Sequence, residues 1–571
     1  MIRSAKAIRA LLVVLGFSGS ALSVAAQEPI GATGQPPLQI LPPRVGVEAG
    51  PEPLPLQRAI ELALANNPDI VVAGLDAAAA KQRSDGARGA YDINLSSNSF
   101  FEHAVSPVAS IIGGGANGSL TQDNFTANAG TGGLSPWGGG RYQVDFSATR
   151  FESDNLFVTL NPQFPSVFRA SYVQPLGRGL SFDAPRRQLE ISRQNETLSL
   201  AVFRERALDI IARVEQTYWA LVFAQRNLDT FSQALNQARS QVESNRRLAE
   251  AGVLAPIAVV EAETQASNFE QAVYAAQDAV TRAENALKQL LLPDRSSPLW
   301  GRELQPVTAP AAPLGEWDVT EAVRRALANR PELARQDAAA AIADVDIRFF
   351  QDQTRPQIDL VGTYALTGLS GALISSGPNP ITAGTVVLQE RVNELSRRAG
   401  LGELPPPSTG AALQDFLIGG YGQSLQTLGQ ARFPTARVDL RFQLPIRNRT
   451  AAANLAVARL QRQQVQSQRL QAEQAIEAEV RDAIQAVRSG RGRLAAAAAA
   501  RASAQEQYES ERRQFEAGTS TVFLVLQRQT ALVTAQAREI QAETDLETAM
   551  AFLRNALGDG LEYWNVRLKP D

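Results

Sequence analysis

The chain of 571 residues contains no cysteine, two methionines and a single histidine, His103. Without cysteine there is no disulfide framework and no thiolate zinc site. One histidine excludes every catalytic arrangement that needs two. Past residue 26 no run of 18 apolar residues exists, so no helix is expected to span a membrane. Any membrane crossing would have to use β-strands, whose backbone groups are satisfied by their neighbours. Positive charge shows no excess either. Residues 1–26 carry Arg3, Lys6 and Arg9 and no acid, so without them 52 basic face 58 acidic side chains, a net charge of −6. No basic patch invites nucleic acid.

Residues 1–26 read as a secretory signal, with three early cations, an apolar core Leu11–Phe17 and small residues up to Ala25-Ala26. The residue after the expected cleavage is Gln27, so no lipid-bearing cysteine stands there. Residues 27–55 hold eight prolines and are expected to be extended and unpacked.

Two long stretches carry a seven-residue apolar step. In the first, Val214, Leu221, Leu228, Leu235 and Val242 form the seam, with Ile211 and Tyr218 between. In the second, Val480, Val487 and Leu494 do so. Such seams make helices pack side by side with a left-handed supercoil. About 68 residues at about 1.5 Å each give rods of roughly 100 Å. The first rod is expected over 183–250 and the second over 448–516. Each breaks at Ala-Gly (Gly252, Gly518), and a return helix follows, to about 292 and 557, making two αα-hairpins.

Between Tyr91 and Phe182 the period becomes two, and 13 of the 36 aromatics lie there. Tyr142, Val144, Phe146 and Ala148 alternate with Arg141, Gln143, Asp145 and Ser147. Strands are expected around Tyr91–Leu95, Tyr142–Ala148 and Phe168–Gln174, with another around Phe125. An outer-membrane barrel strand has this alternation, and so does a sandwich with one wet face. Later strands are expected over 357–364 and 432–444. They are separated by a long insertion, about 366–430, with a short helix near Val387–Arg398.

The chain also repeats itself. Ala63-Leu-Ala-Asn-Asn-Pro68 recurs 263 positions later as Ala326-Leu-Ala-Asn-Arg-Pro331, and Gly252 recurs 266 positions later as Gly518. The expected order is a first repeat over 56–292 (strands 91–176, hairpin 183–292), a proline-rich linker 293–316, a second repeat over 317–557 (hairpin 448–557) and an irregular cap 558–571. Pro68 is expected to break the first helix near Asn66-Asn67.

No catalytic, cofactor or metal site emerges, and no enzyme is expected. Gly177-Arg178-Gly179 lacks the spacing of a phosphate loop. Glu261 and Glu263 are expected to be solvated helix charges, His103 a rim residue, and the alanines at 495–500 a place where helices approach closely.

This order of elements resembles the TolC-type outer-membrane efflux family over nearly the whole chain past the signal. The residues that carry the likeness are the ALANNP/ALANRP pair, QPLGRG and LPIRNR at the strand ends, and the turns LAEAGVLAPIAVVEAETQ and QFEAGTSTVFLVLQRQT. The resemblance implies a membrane α+β fold, in which a trimeric outer-membrane β-barrel is continued by a long periplasmic α-helical coiled-coil barrel. It implies a homotrimer in outer-membrane lipid, a periplasmic adaptor and an inner-membrane pump as partners, and no cofactor. The implied function is the channel component of a tripartite efflux or type I secretion system, a passive duct. A surface-anchored trimeric coiled-coil stalk or adhesin is the competing reading, and it would want one uninterrupted heptad block.

Four strands per chain in three chains would give about twelve, a workable water-filled barrel. The first half, however, shows three or four strands, and the pair near Phe125 and Tyr142 is expected to extend the wall or its loops. By resemblance, Gly252, Val253, Leu254 and Ala255, with Gly518, Thr519, Ser520 and Thr521, are the tips that meet the adaptor. Relatives narrow the tunnel with aspartates six and nine residues after the second-repeat glycine. Here those positions are Leu524 and Gln527, and the first-repeat counterparts are Ala258 and Glu261. An apolar gate at Leu524 with weak cation binding is therefore expected, Glu261 being the only carboxylate of the four.

Overall fold

The two seven-residue seams become two helices of 67 and 68 residues. In the computed structural model the described residues are 44–47, 49–109, 118–155, 157–310, 315–374, 380–405 and 413–568. The expected signal peptide and residues 27–43 lie outside them.

In chain order the elements are β1 (Ala49–Leu54), α1 (Leu56–Asn66), α2 (Pro68–Arg88), β2 (Asn94–Pro107), β3 (Ser119–Leu134), β4 (Arg141–Ser153), β5 (Leu160–Gln163) and β6 (Ser166–Pro175). The first hairpin follows, α3 (Ala184–Glu250) and α4 (Ile257–Leu291), then β7 (Arg302–Pro306). The second half runs α5 (Val319–Asn329), α6 (Pro331–Gln353), β8 (Gln357–Gly368), β9 (Gly371–Leu373), α7 (Pro380–Arg398), α8 (Tyr421–Gly429) and β10 (Pro434–Gln443). It ends with the second hairpin, α9 (Arg449–Glu516) and α10 (Val522–Leu557), and a short α11 (Gly560–Tyr563). Among the described residues no helix is long and apolar enough to cross a membrane.

The helices follow the sequence closely. Val214, Leu221, Leu235 and Val242 are buried, and Leu228 packs against the core that holds Val214 and Leu221. The recurring ALANNP/ALANRP motif has a mechanism. Pro68 and Pro331 each open a helix, where a missing N–H costs nothing. The residue before each proline then reaches the end of that repeat's return helix. Asn67 donates to the Leu290 carbonyl (3.1 Å), and Arg330 donates to those of Asn555 (3.2 Å) and Ala556 (3.5 Å). Both therefore satisfy carbonyls that a helix C-terminus leaves without partners.

The sheet departs from twelve-strand arithmetic. Six long antiparallel strands form one sheet in the order β10-β8-β6-β4-β3-β2, with β5 and β9 as short additions at the end far from the helices. The pair near Phe125 and Tyr142 is thus part of the sheet, as β3 and β4. Following the register across, one face carries Phe442, Leu440, Val438, Tyr364, Leu360, Tyr172, Phe168, Phe146 and Val144. The other carries Arg441, Asp439, Arg437, Asp359, Arg169, Asp145 and Gln143. Charges reach the apolar face only toward its far end, as His103 with Asp123 (2.6 Å) and Arg150 with Glu152. His103, expected at a rim, lies toward the end of β2 far from the helices.

Three expectations about the connecting segments change. Residues 49–54 are packed, not free: β1 pairs in parallel with β7, and Leu54 and Leu304 are buried. A two-stranded ladder is all edge, and an edge tolerates proline where its N–H would face away. The 293–316 linker accordingly contains a strand. The tail is not irregular throughout, since α11 packs on α3 and the Trp564 indole donates to Glu215 (2.5 Å).

Glu215 is buried on α3 and paired with Arg554 of α10 at 3.0 Å. Burial pushes its carboxyl above the usual range, while Arg554 and Trp564 oppose the shift. Replacing Arg554 by Met leaves that carboxylate without its cation. The expected loss is about 3–5 kcal/mol at neutral pH. A raised folded-state value means that what this group contributes is fully present below its unfolded pKa and is lost as pH rises through the folded one. The defect of Arg554→Met should therefore be largest at pH 7, smaller at pH 5, and mostly recovered in the double variant with Glu215→Gln. Thermal unfolding of the three proteins at both pH values checks this.

Candidate functional site

Two regions of the chain are left open, the ends of the hairpins and the edges of the layers. At both hairpin ends the helix stops with the same capping pattern. The Gly252 amide donates to Ala249 (3.0 Å) and the Val253 amide to Leu248 (2.9 Å). Equivalent bonds run from Gly518 to Phe515 and from Thr519 to Gln514, both 2.9 Å. Each glycine is left-handed, with φ of +72° and +76°, a conformation glycine adopts without steric cost. Gly252, Val253, Ala255, Gly518, Thr519 and Thr521 are exposed, and Leu254 and Ser520 half-buried. Val253 is 72% exposed. Thr521 caps α10 by accepting from the Leu524 amide (3.4 Å).

The two tips are held together by a shared apolar cluster of Val242, Ala258, Ala262, Val522 and Leu526. Ala258 is therefore a core residue, 7% exposed, and it lines no opening. The buried pairs show why the count from the glycine fails. Ala258 and Ala262 on α4 match Val522 and Leu526 on α10, 264 positions apart and not 266. The first turn is two residues longer, which is about 200° of helix phase. The structural counterpart of Leu524 is Val260, and that of Gln527 is Glu263. Val260 is exposed, and Glu263 is paired with Arg246 at 2.9 Å.

Of the other expected gate positions, Glu261 and Gln527 fall beside one another. Val260, Glu261, Phe523 and Gln527 line one groove of about 970 Å³, floored by Ala496, Ala497 and Ala500 of α9. The alanine run thus opens space between the hairpins. Leu524 lies outside the groove at 36% exposure, and its neighbour Phe523 is more exposed at 59%. Sequence reasoning missed Phe523 because it was sought by counting from glycine and not by face.

Above the tips, α2 packs on α3, α3 on α6 and α6 on α9. Ion pairs cross these seams, Arg187 with Asp346 (2.7 Å) and Arg462 with Asp344 (2.8 Å). The row ends on α2 and on the first half of α9. Val71, Val72 and Leu75 are exposed at one end, Val457, Leu460 and Leu470 at the other. The sheet ends on β2 and β10, which are exposed along nearly their whole length. Since β2 follows α2 and β10 precedes α9, both layers are open on the same two sides.

A family model described as outer membrane efflux protein matches residues 180–291 and 418–559, which hold both hairpins. Among solved structures, the CmeC outer membrane channel of Campylobacter jejuni is similar at 15% identity and a TM-score of 0.59, covering 88% of this chain and 86% of that one. The outer membrane protein VceC of Vibrio cholerae is similar at 14% identity and 0.56, covering 88% and 96%. The MtrE outer membrane channel of Neisseria gonorrhoeae, in its open state, is similar at 17% identity and 0.55, covering 89% of each. No curated protein matches the chain. At these identities the solved structures speak for the fold, and the matched hairpins speak for the family. Over its two hairpins the chain matches the outer-membrane efflux family, its fold is that of solved outer-membrane channels, and its place is the outer membrane.

Proposed function

We propose that this chain is the outer-membrane duct of a tripartite export system, working as a homotrimer with an adaptor docked on its hairpin tips. The observation that carries the proposal is the pair of matching open sides. A copy whose β2 and α2 face the β10 and α9 of the next copy repeats the same contact around a ring. Such a head-to-tail interface leaves no free edge once the ring closes. The exposed valines and leucines of α2 and α9 are then buried against each other. The apolar face of the sheet meets outer-membrane lipid, and the polar face a water-filled lumen. The stalk reading has no use for a sheet with one apolar and one charged face.

The duct is passive in this account. Energy comes from the inner-membrane pump, and the adaptor joins pump to tips through residues 252–255 and 518–521. Leu524, with Phe523 beside it, is the apolar closure, and Glu261 and Gln527 border the adjoining groove. Light scattering on the detergent-extracted protein, corrected for bound detergent, should give the mass of three chains. A folded species of one chain with its full β-signal would overturn the assembly.

A further inference from the structure

We infer that the ring closes as an eighteen-stranded barrel, half again as many strands as four per chain would give, and that its pore is as wide as the helical tunnel beneath it. The inference rests on the trimer proposed above. It starts from the register of the six-stranded sheet. A line drawn straight across the strands from Asn94 of β2 passes Gly132, Gln143, Ser171 and Thr363 and ends at Arg437 of β10. The end of β10 nearest the helices is Gln443, six residues further on. Both Asn94 and Gln443 stand where a strand meets a helix. Placing the two level across the joint between copies therefore shifts the register by six residues per chain.

Three properties of that joint agree. Six is even, so the faces are kept, as side-chain alternation requires. Leu95 then opposes Phe442 and Ser99 opposes Val438 on the apolar face, while Asn98 opposes Asp439 on the polar one. The direction agrees as well, since β2 leaves the helices and β10 returns to them, so the joint is antiparallel like the rest of the sheet. The tilt agrees too. Six residues per six strands, at about 3.3 Å per residue and about 4.8 Å between strands, gives a tilt of about 35°, inside the range closed barrels adopt.

Eighteen strands at that tilt make a backbone ring about 34 Å across, against about 23 Å for twelve. The open area is roughly doubled. The four side-by-side helices α2, α3, α6 and α9, taken three times, make a ring of about 31–39 Å between axes at 8–10 Å spacing. The barrel thus falls within the width range of the tunnel, and the constriction is left to the hairpin tips. The chemical class of cargo this favours is a bulky, hydrated solute that keeps its water through the membrane.

The absence of cysteine makes a direct test available. Ser99→Cys and Val438→Cys are introduced into one full-length chain, where they are the only thiols. After extraction the variant is checked for wild-type mass and β-signal and then oxidised. Facing positions of an antiparallel pair are close enough for a disulfide. Most of the protein should shift into linked dimers and trimers, and the ladder should end at three and collapse on reduction. A second chain carries Val144→Cys and Val438→Cys. It reports a narrower wall in which β4 is the edge and β2 and β3 lie outside, and it should stay monomeric on denaturing gels. Linking through Val144, or through neither pair, overturns the eighteen-strand barrel while leaving the trimer intact. A native mass other than three chains removes the trimer itself, whichever pair links.

Discussion

Placing arginine at Val253 and Thr519 together is expected to reduce export to the level of a cell lacking the chain, with trimer and sheet unchanged. Both side chains follow the left-handed glycine of a helix cap, and both are exposed. Their backbone amides hold the cap, to Leu248 and Gln514, and their side chains are not needed for it in the case of Val253. Thr519 adds one bond, from its hydroxyl to the Gln514 carbonyl (3.0 Å), whose loss costs about 1 kcal/mol. The fold therefore survives the change. A docking surface does not, because a large charge forced into a desolvated contact costs several kcal/mol, which is a factor of about 10³ in affinity. Efflux of a pump substrate, measured beside native mass and β-signal, separates the two. Undiminished export would show that the adaptor docks elsewhere and that the glycines only cap helices.

The second large effect is expected at the closure. The wild-type channel should be blocked only weakly by a trivalent cation added from the periplasmic side of a planar bilayer. The structure leaves Leu524 and Phe523 exposed side by side at the start of α10, with Val253, Ile257 and Val260 exposed at the other tip, and Glu261 as a carboxylate facing a groove between hairpins. Three isolated carboxylates concentrate cations poorly compared with stacked rings. Leu524→Asp with Gln527→Asp adds six carboxylates per trimer, and Gln527 shares its groove with Glu261. The half-blocking concentration should fall on the order of a hundredfold. Tight block of the wild type that disappears in Glu261→Gln would contradict the apolar closure.

Much of this was legible because it is periodic over long distances. A seven-residue seam inside a long stretch without proline leaves little freedom, and α3 and α9 begin and end within a residue of the expected bounds. The ALANNP/ALANRP pair was legible as a repeat, though the carbonyls that Asn67 and Arg330 satisfy were not. The first-half strands were harder for a physical reason. On β3 the apolar face carries Ala127, Ala129 and Thr131, small side chains that barely mark an alternation. On β2 the adjacent Phe100 and Phe101 point to opposite faces and blur the period. The strands β1 and β7 were hidden by prolines, which usually mean no ladder. At the tips a two-residue difference between turns rotated the count by more than half a turn, which put Ala258 into the core. No single-residue spacing could reveal that; only the buried pairs do.

The central claim is that the chain conducts across the outer membrane, and the most direct test is the current it passes. Purified protein inserted into a planar lipid bilayer should give discrete current steps of uniform size. Protein that demonstrably inserts, with its sheet protected from protease, and yet passes no current would contradict the account.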